Sequence, residues 1–195
     1  MTADDLTHTA VVIGAGVSGL IAAHELAQRG VATALVDDGW LGGLVVNVGA
    51  LDGDGVSGAG ADLVNELLGE ALEAGVDYRM GEAAAPDFDR GAWRLPGLEL
   101  AAPYIVLATG ARLRKLGVPG EKSLTGRGVS QCAFCDGGLY RGQDTVVVGG
   151  GDAAFQEALH LAELCGSVTV LMRGDAPRAR PSYVERLAAC ANRST

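Results

Sequence analysis

Basic residues are scarce in this chain: 15 Lys and Arg stand against 24 Asp and Glu in 195 residues, a formal net charge of −9. A surface of that sign repels phosphate backbones and anionic lipid heads, which argues against nucleic acid and membrane partners. Long apolar runs are missing too, and none approaches the roughly 20 residues of a spanning helix. The opening MTADDLTHTA is acidic and polar. Without the basic region and apolar stretch of a secretory leader, it makes the cytoplasm the expected compartment. Cysteine is sparse, with 4 residues, and only Cys132 and Cys135 are closely spaced. A structural zinc site would want a second such pair, and neither Cys165 nor Cys190 has a Cys or His neighbour at ligand spacing. In a reducing compartment a C-x-x-C pair is more readily catalytic or metal-binding than a structural staple.

Glycine is abundant instead, with 30 residues. Without a G-X-Y period, they point to tight turns and close backbone approaches. Hydrophobic residues make up 48% of the chain, enough for a buried core in one domain or one and a half small ones.

Two segments share one grammar. Residues 10–37 read as an apolar strand (AVVIG), a glycine turn, a helix over 17–29 and a second strand over 31–36, with Gly30 where a helix C-cap glycine belongs. Residues 144–172 repeat the order: DTVVVG, the turn GGGDAA, a helix to about 164, and a strand over 167–172. Each is a βαβ unit of about 30 residues. Between them, 58–74 reads as a helix with Leu63, Leu67, Leu68 and Leu72 on one side, and 76–80 as a strand. Residues 92–95 and 99–101 make a β-ribbon, and PYIVLA over 103–108 a buried strand. The stretch 111–130 lacks a period and reads as a crossing between domains. A last helix is expected over 182–191. The expected fold is therefore α/β, with two Rossmann-like dinucleotide-binding domains of the three-layer ββα/βα type, 1–113 and 114–195. The second is incomplete, because a two-stranded parallel sheet normally needs further strands.

The first glycine loop, Gly14-Ala15-Gly16-Val17-Ser18-Gly19, follows a strand, opens a helix, and is trailed by Asp37 at the end of the next strand. Gly14 permits the turn, Gly16 lets a pyrophosphate approach, and Gly19 lets helix and strand pack closely. The helix N-terminus offers N–H groups to phosphates, and Asp37 can accept from a ribose hydroxyl pair. A glycine turn without ligand is the plain alternative. The second loop, Gly149-Gly150-Gly151-Asp152-Ala153-Ala154, reads GxGxxA and has no acidic residue closing its second strand. Arg173 and Arg178 stand there instead, with Arg180. Arginine suits a ribose 2′-phosphate and so NADPH over NADH; solvated arginines are the bland reading. Between the loops lies Cys132-Ala133-Phe134-Cys135-Asp136, a dithiol able to close reversibly, with Asp136 placed to exchange a proton with a departing thiolate.

The run CAFCDGGLYRGQDTVVVGGGDAAFQEALHLAELCGSVTVLMR resembles the C-x-x-C-D-G segment and NADPH domain of the thioredoxin reductase family, class II pyridine nucleotide-disulfide oxidoreductases. VVIGAGVSGL and the ATGA of 108–111 resemble that family's FAD domain. The resemblance covers nearly the whole chain. It implies electron flow from NADPH through FAD to the Cys132/Cys135 disulfide and on to thioredoxin or a similar small redox protein. By position, Cys135 would face the flavin as the charge-transfer thiolate, Cys132 would attack the partner, and Asp136 would be the acid–base residue. Gly14, Ala15, Gly16, Val17, Ser18, Gly19, Asp37, Gly42, Gly43, Thr109 and Gly110 would hold FAD. Gly149, Gly151, Asp152, Ala153, Ala154, Arg173 and Arg178 would hold NADPH. A homodimer is implied for the full-length protein.

Four departures stand out. The family's G-G-Q reads Gly42-Gly43-Leu44, its V-E-N-x-P-G is replaced by Val48-Gly49-Ala50-Leu51-Asp52-Gly53, and its H-R-R reads Met172-Arg173-Gly174. The family's returning C-terminal segment has no counterpart, so a truncated chain is expected. Two other readings stay open: a flavin-dependent dithiol oxidase acting on a small molecule, compatible with Phe134 and the weakened H-R-R, and an inactive FAD-binding fragment.

Overall fold

The computed structural model describes residues 6–53 and 56–191. The chain divides into two compact units, one of residues 1–46 and 50–112, the other of 47–49 and 113–195.

In the first unit, β1 (Ala10–Ile13), α1 (Val17–Gln28) and β2 (Thr33–Asp37) form the expected parallel βαβ, with register running from Ala10↔Thr33 to Ile13↔Val36. A hairpin of β3 (Leu51–Gly53) and β4 (Val56–Gly58) precedes α2 (Gly60–Glu73) and β5 (Asp77–Met80). Strands β6 (Asp87–Asp89), β7 (Ala92–Leu95) and β8 (Leu100–Ala102) make an antiparallel sheet. β9 (Tyr104–Leu107) then returns to the parallel sheet, whose order is β5-β2-β1-β9. Successive strand side chains point to opposite faces. Val12 and Leu35 accordingly join Leu20 and Ala23 of α1 and Val64 and Ala71 of α2. Val11, Ile13, Ala34 and Val36 turn the other way, onto Leu95, Leu100 and Ala102. The unit is thus three layers, helices, parallel sheet and antiparallel sheet, and β1 and β2 are apolar throughout because both their faces are covered.

Three local expectations change. The buried stripe of α2 runs through Val64, Leu67, Leu68 and Ala71, with Leu72 48% exposed; the true stripe is i, i+3, i+4, i+7, and Leu72 lies one helical step past it. β9 is not wholly buried: Ile105 and Val106 reach the two cores, but Tyr104 and Leu107 are 67% and 69% exposed, because β9 is the sheet's edge strand. The stretch 111–130 is not featureless. It holds α3 (Glu121–Leu124) and a Thr125↔Val129 bridge, and the Glu121 carboxylate accepts the N–H groups of Leu116 and Gly117 at 2.9 and 2.7 Å.

In the second unit, α4 (Ala133–Asp136) and a 3-10 turn at Gly137–Tyr140 lead into β10 (Asp144–Val148), α5 (Asp152–Leu164), β11 (Ser167–Leu171) and α6 (Pro181–Ala191). β10 and β11 pair in parallel from Asp144↔Ser167 to Val148↔Leu171. Val147, Val168 and Val170 pack with Ala158 and Leu161 of α5, and α6 closes on α5 through Phe155 and Tyr183. The sheet's other face carries Val146, Val148 and Leu171, 58%, 51% and 53% exposed. No helix among the described residues is long and apolar enough to cross a membrane.

Candidate dinucleotide and dithiol sites

The first glycine loop sits at the carboxyl ends of β1, β2 and β9, where open α/β sheets bind ligands. Gly14, at φ +103°, leaves no room for a Cβ against the Ala108 carbonyl, and a Cβ on Gly19 would collide with the Gly14 carbonyl. Those two glycines serve packing. Gly16 differs: a Cβ there would meet nothing nearer than the Gly42 carbonyl oxygen at 3.9 Å. This open cradle is where a pyrophosphate would come. Gly16 caps α1 without a side-chain hydrogen bond, and no acidic residue occupies the first turn. The N–H groups of Val17, Ser18 and Gly19 therefore face outward with the positive end of the helix dipole.

Asp37 is buried, with 6% exposure. Its Oδ2 accepts the Ala15 N–H at 3.1 Å and its Oδ1 that of Gly39 at 2.8 Å. The carboxylate thus braces the loop, and a carboxylate's four acceptor positions leave capacity for ribose hydroxyls. Gly42 donates to the Ala15 carbonyl at 2.7 Å, and a Cβ on it would strike Val46 and Val64. A Cβ on Gly43 would meet nothing nearer than the Gly16 Cα, at 4.0 Å. Leu44 is half-buried in a 3-10 turn over Gly43–Asn47. Thr109 and Gly110 are exposed directly after Ala108. Every expected residue of this site is brought to one sheet end. The departure at 48–53 includes Asp52, whose side chain lies outside what the structure describes.

The second loop repeats the arrangement. A Cβ on Gly149 would press on Ala154 at 2.8 Å, while Gly151 has open space. Gly151 caps α5 without a side-chain bond, so the Asp152, Ala153 and Ala154 N–H groups head the helix. Arg173 and Arg178 are exposed, and the Arg178 N–H is tied to the Gly150 carbonyl at 2.7 Å. The Asp152 side chain is committed elsewhere: Oδ1 accepts the Arg180 N–H at 2.7 Å and Oδ2 lies 3.0 Å from Arg180 Nε. Asp152 therefore clamps the 178–180 segment to the loop, which its place in the loop did not reveal. Arg180 also lies over the Tyr183 ring at 5.9 Å.

In the same unit Cys132 and Cys135 are joined as a disulfide, with Cα atoms 5.3 Å apart. Cys132 caps α4, its Sγ accepting the Cys135 N–H at 3.1 Å, while the Ser130 hydroxyl accepts the Cys132 N–H at 3.0 Å. Cys132 is 8% exposed, and Cys135 stands open to solvent. A partner disulfide can reach Cys132 only if the turn loosens. Asp136 is half-buried beside Cys135, its N–H held by the Cys132 carbonyl at 3.1 Å. The Phe134 ring stacks on His160 with centroids 4.3 Å apart, and its other flank lies against Gly49, where no Cβ would fit. Asn47 Nδ2 donates to the Gln131 carbonyl at 3.3 Å.

Glu157 of α5 escaped the sequence reading. Burial pushes its carboxyl above the usual carboxylate range, while the facing Ala133 N–H pulls it back. The signal was present: Glu157 is an acid within the apolar stripe of Ala154, Ala158 and Leu161.

A family model for pyridine nucleotide-disulphide oxidoreductases matches residues 8–194. The chain is 33% identical over 181 residues to thioredoxin reductase of Bacillus subtilis, covering 91% of this chain and 57% of that protein. It is 35% identical to that of Mycolicibacterium smegmatis, covering 95% and 61%. Among solved structures, Lactococcus lactis thioredoxin reductase in the FR conformation superposes with a TM-score of 0.85 at 33% identity, covering 92% of this chain and 61% of that one. T. acidophilum thioredoxin reductase also gives 0.85, at 27% identity over 94% of this chain and 62% of that one. The chain thus spans about three fifths of the length of these relatives, from 57% to 62%. On the matched family model, with two βαβ loops and a C-x-x-C disulfide, the chain belongs to the pyridine nucleotide-disulphide oxidoreductase family.

Proposed function

We propose that the protein is a flavin-dependent disulfide reductase that passes electrons from NADPH through FAD to Cys132–Cys135 and on to thioredoxin or a similar small redox protein. The observation that carries this reading is the placement of the disulfide on α4, packed against the helix whose N-terminus is the open Gly151 loop. FAD, when bound, supplies acceptance of an electron pair from a reduced nicotinamide and its delivery to a disulfide. The Gly16 cradle and the α1 N–H groups hold the pyrophosphate, and Asp37 the ribose. Arg173 and Arg178 are exposed beside the second loop and take the 2′-phosphate. Cys135, the open sulfur, receives the electrons. Cys132 meets the partner when docking loosens the turn, and Asp136 exchanges the proton of the departing thiol.

The test is to supply the chain with FAD and NADPH without oxygen and count alkylatable thiols at Cys132 and Cys135 by mass. The pair should open with NADPH and open more slowly with NADH, and Arg173→Ala should remove that preference. A disulfide left intact by both nucleotides, in a chain that holds flavin, would sink the proposal.

Phe134 on His160, beside the open Cys135, favours one second reading. An aromatic face next to the reactive sulfur suits a small apolar dithiol, which the same centre would oxidise with oxygen taking the electrons. Oxygen uptake with a small dithiol and no NADPH turnover would select it. In either case we propose a homodimer for the full-length protein, as the resemblance to the thioredoxin reductase family implies.

A further inference from the structure

We propose that Asp152 is a positioning residue for nucleotide choice: through Arg180 it holds Arg178 at the second glycine loop, and so sets the preference for a dinucleotide that carries a 2′-phosphate. The inference rests on the reading above that Arg178 takes that phosphate. It extends that reading from the arginine that meets the phosphate to the pair that places it.

The segment 178–180 is fastened at four points, all within the second unit. The Arg178 N–H donates to the Gly150 carbonyl at 2.7 Å. Ala179, 9% exposed, packs with Phe155 of α5 and Tyr183 of α6. The Arg180 N–H donates to Asp152 Oδ1 at 2.7 Å, and Arg180 Nε lies 3.0 Å from Asp152 Oδ2. Two of these four fastenings end on one carboxylate, that of the first residue of α5. The Arg180 carbonyl in turn accepts the Tyr183 N–H at 3.0 Å, which ties the segment to the start of α6.

The two arginines that bound this segment are thereby given different work. The Arg180 guanidinium is engaged, on Asp152 and over the Tyr183 ring at 5.9 Å. The Arg178 side chain is exposed and, among the described residues, has no ion-pair partner. An arginine on its long flexible stem meets a phosphate well only when its backbone stands in the right place. The side chains of Asp152 and Arg180 are 40% and 57% exposed, and such a pair adds little to stability. Its consequence is the placement of Arg178.

Charge supplies a discriminating sign. A carboxylate at the head of α5, beside Gly151, repels an approaching phosphate. By electrostatics alone, removing Asp152 would strengthen the binding of every dinucleotide. Through the clamp, removing it loosens Arg178 and weakens only the grip on the 2′-phosphate.

The experiment is equilibrium titration of the 195-residue chain with NADPH and with NADH, followed by nicotinamide fluorescence, so that no turnover is needed. The wild type should bind NADPH more tightly. In Asp152→Ala the ratio of the two affinities should fall about tenfold, a coupling of the size found within one hydrogen-bond network. In an Arg178→Ala background the same substitution should lower that ratio no further. Arg180→Met keeps the backbone N–H contact and removes the guanidinium; it should lower the ratio by less, and it carries the test if Asp152→Ala fails to fold. A ratio that Asp152→Ala leaves unchanged or raises would overturn the inference, including the case where both nucleotides weaken equally, the mark of a collapsed loop. Additive losses from Asp152→Ala and Arg178→Ala would overturn it as well. A wild type that binds NADPH no better than NADH, or an Arg178→Ala variant that keeps the full preference, would instead overturn the 2′-phosphate reading beneath it, and this inference with it.

Discussion

Asp37 reaches back from the end of β2 to accept the Ala15 N–H at 3.1 Å. One buried carboxylate thus couples the second strand to the glycine loop made by the first. Asp37→Asn would turn an amide N–H toward one of two backbone donors, Ala15 or Gly39, leaving a buried donor unpaired. The expected cost is about 1–3 kcal/mol of stability, read as a lower denaturation midpoint, together with weaker flavin retention. An Asn variant as stable as the wild type would show that the two N–H contacts do not hold the loop.

The glycines separate packing from binding. Gly19→Ala sets a Cβ against the Gly14 carbonyl and should cost about 1–3 kcal/mol, as overpacking does. Gly16→Ala enters open space at φ −74°. It should stay within about 0.5 kcal/mol of wild type, as harmless substitutions do, yet lose most FAD affinity by equilibrium titration. If Gly16→Ala keeps full affinity, the cradle is not the pyrophosphate site.

Accessibility orders the two sulfurs. In the reduced chain Cys135 should be alkylated at least about tenfold faster than the covered Cys132, since thiol reactivity follows exposure as well as pKa. Fragment ions of the peptide between Arg127 and Arg141 resolve the two. Equal rates would mean that the Ser130 and Cys135 backbone contacts do not keep Cys132 inside once the disulfide is open.

Glu157 predicts a pH signature in stability. Its pKa is raised on folding, so its contribution is fully present below the unfolded value of 4.5 and is lost as pH rises through the folded value. Glu157→Gln, which cannot ionise, should therefore raise the melting temperature at neutral pH and converge with the wild type in acid. A gap that widens toward acid would contradict the assigned burial cost.

Much of this molecule was legible in its sequence because the signals are local. A strand, a glycine turn and a helix at fixed spacing mark both loops, with Gly14 making the turn at φ +103° and Gly19 packed on the Gly14 carbonyl. C-x-x-C spacing alone brings Cys132 and Cys135 within bonding reach. The helix register of α2 was less legible: four leucines suggested one stripe, and packing on β1 and β2 chose another, through Val64 and Ala71.

What only the tertiary structure decided are long-range pairings between residues with no pattern to link them. Asp152 was placed among nucleotide contacts by its loop, but Arg180, 28 positions on, takes both its oxygens. Exposure of Cys135 against burial of Cys132 depends on which face of the turn meets α5. The Glu157 carboxyl titrates high only because folding partly buries it. Local dihedral and spacing rules determine where the loops and the dithiol stand; desolvation and the choice of hydrogen-bond partner, which belong to the packed chain, determine what each charged side chain does there.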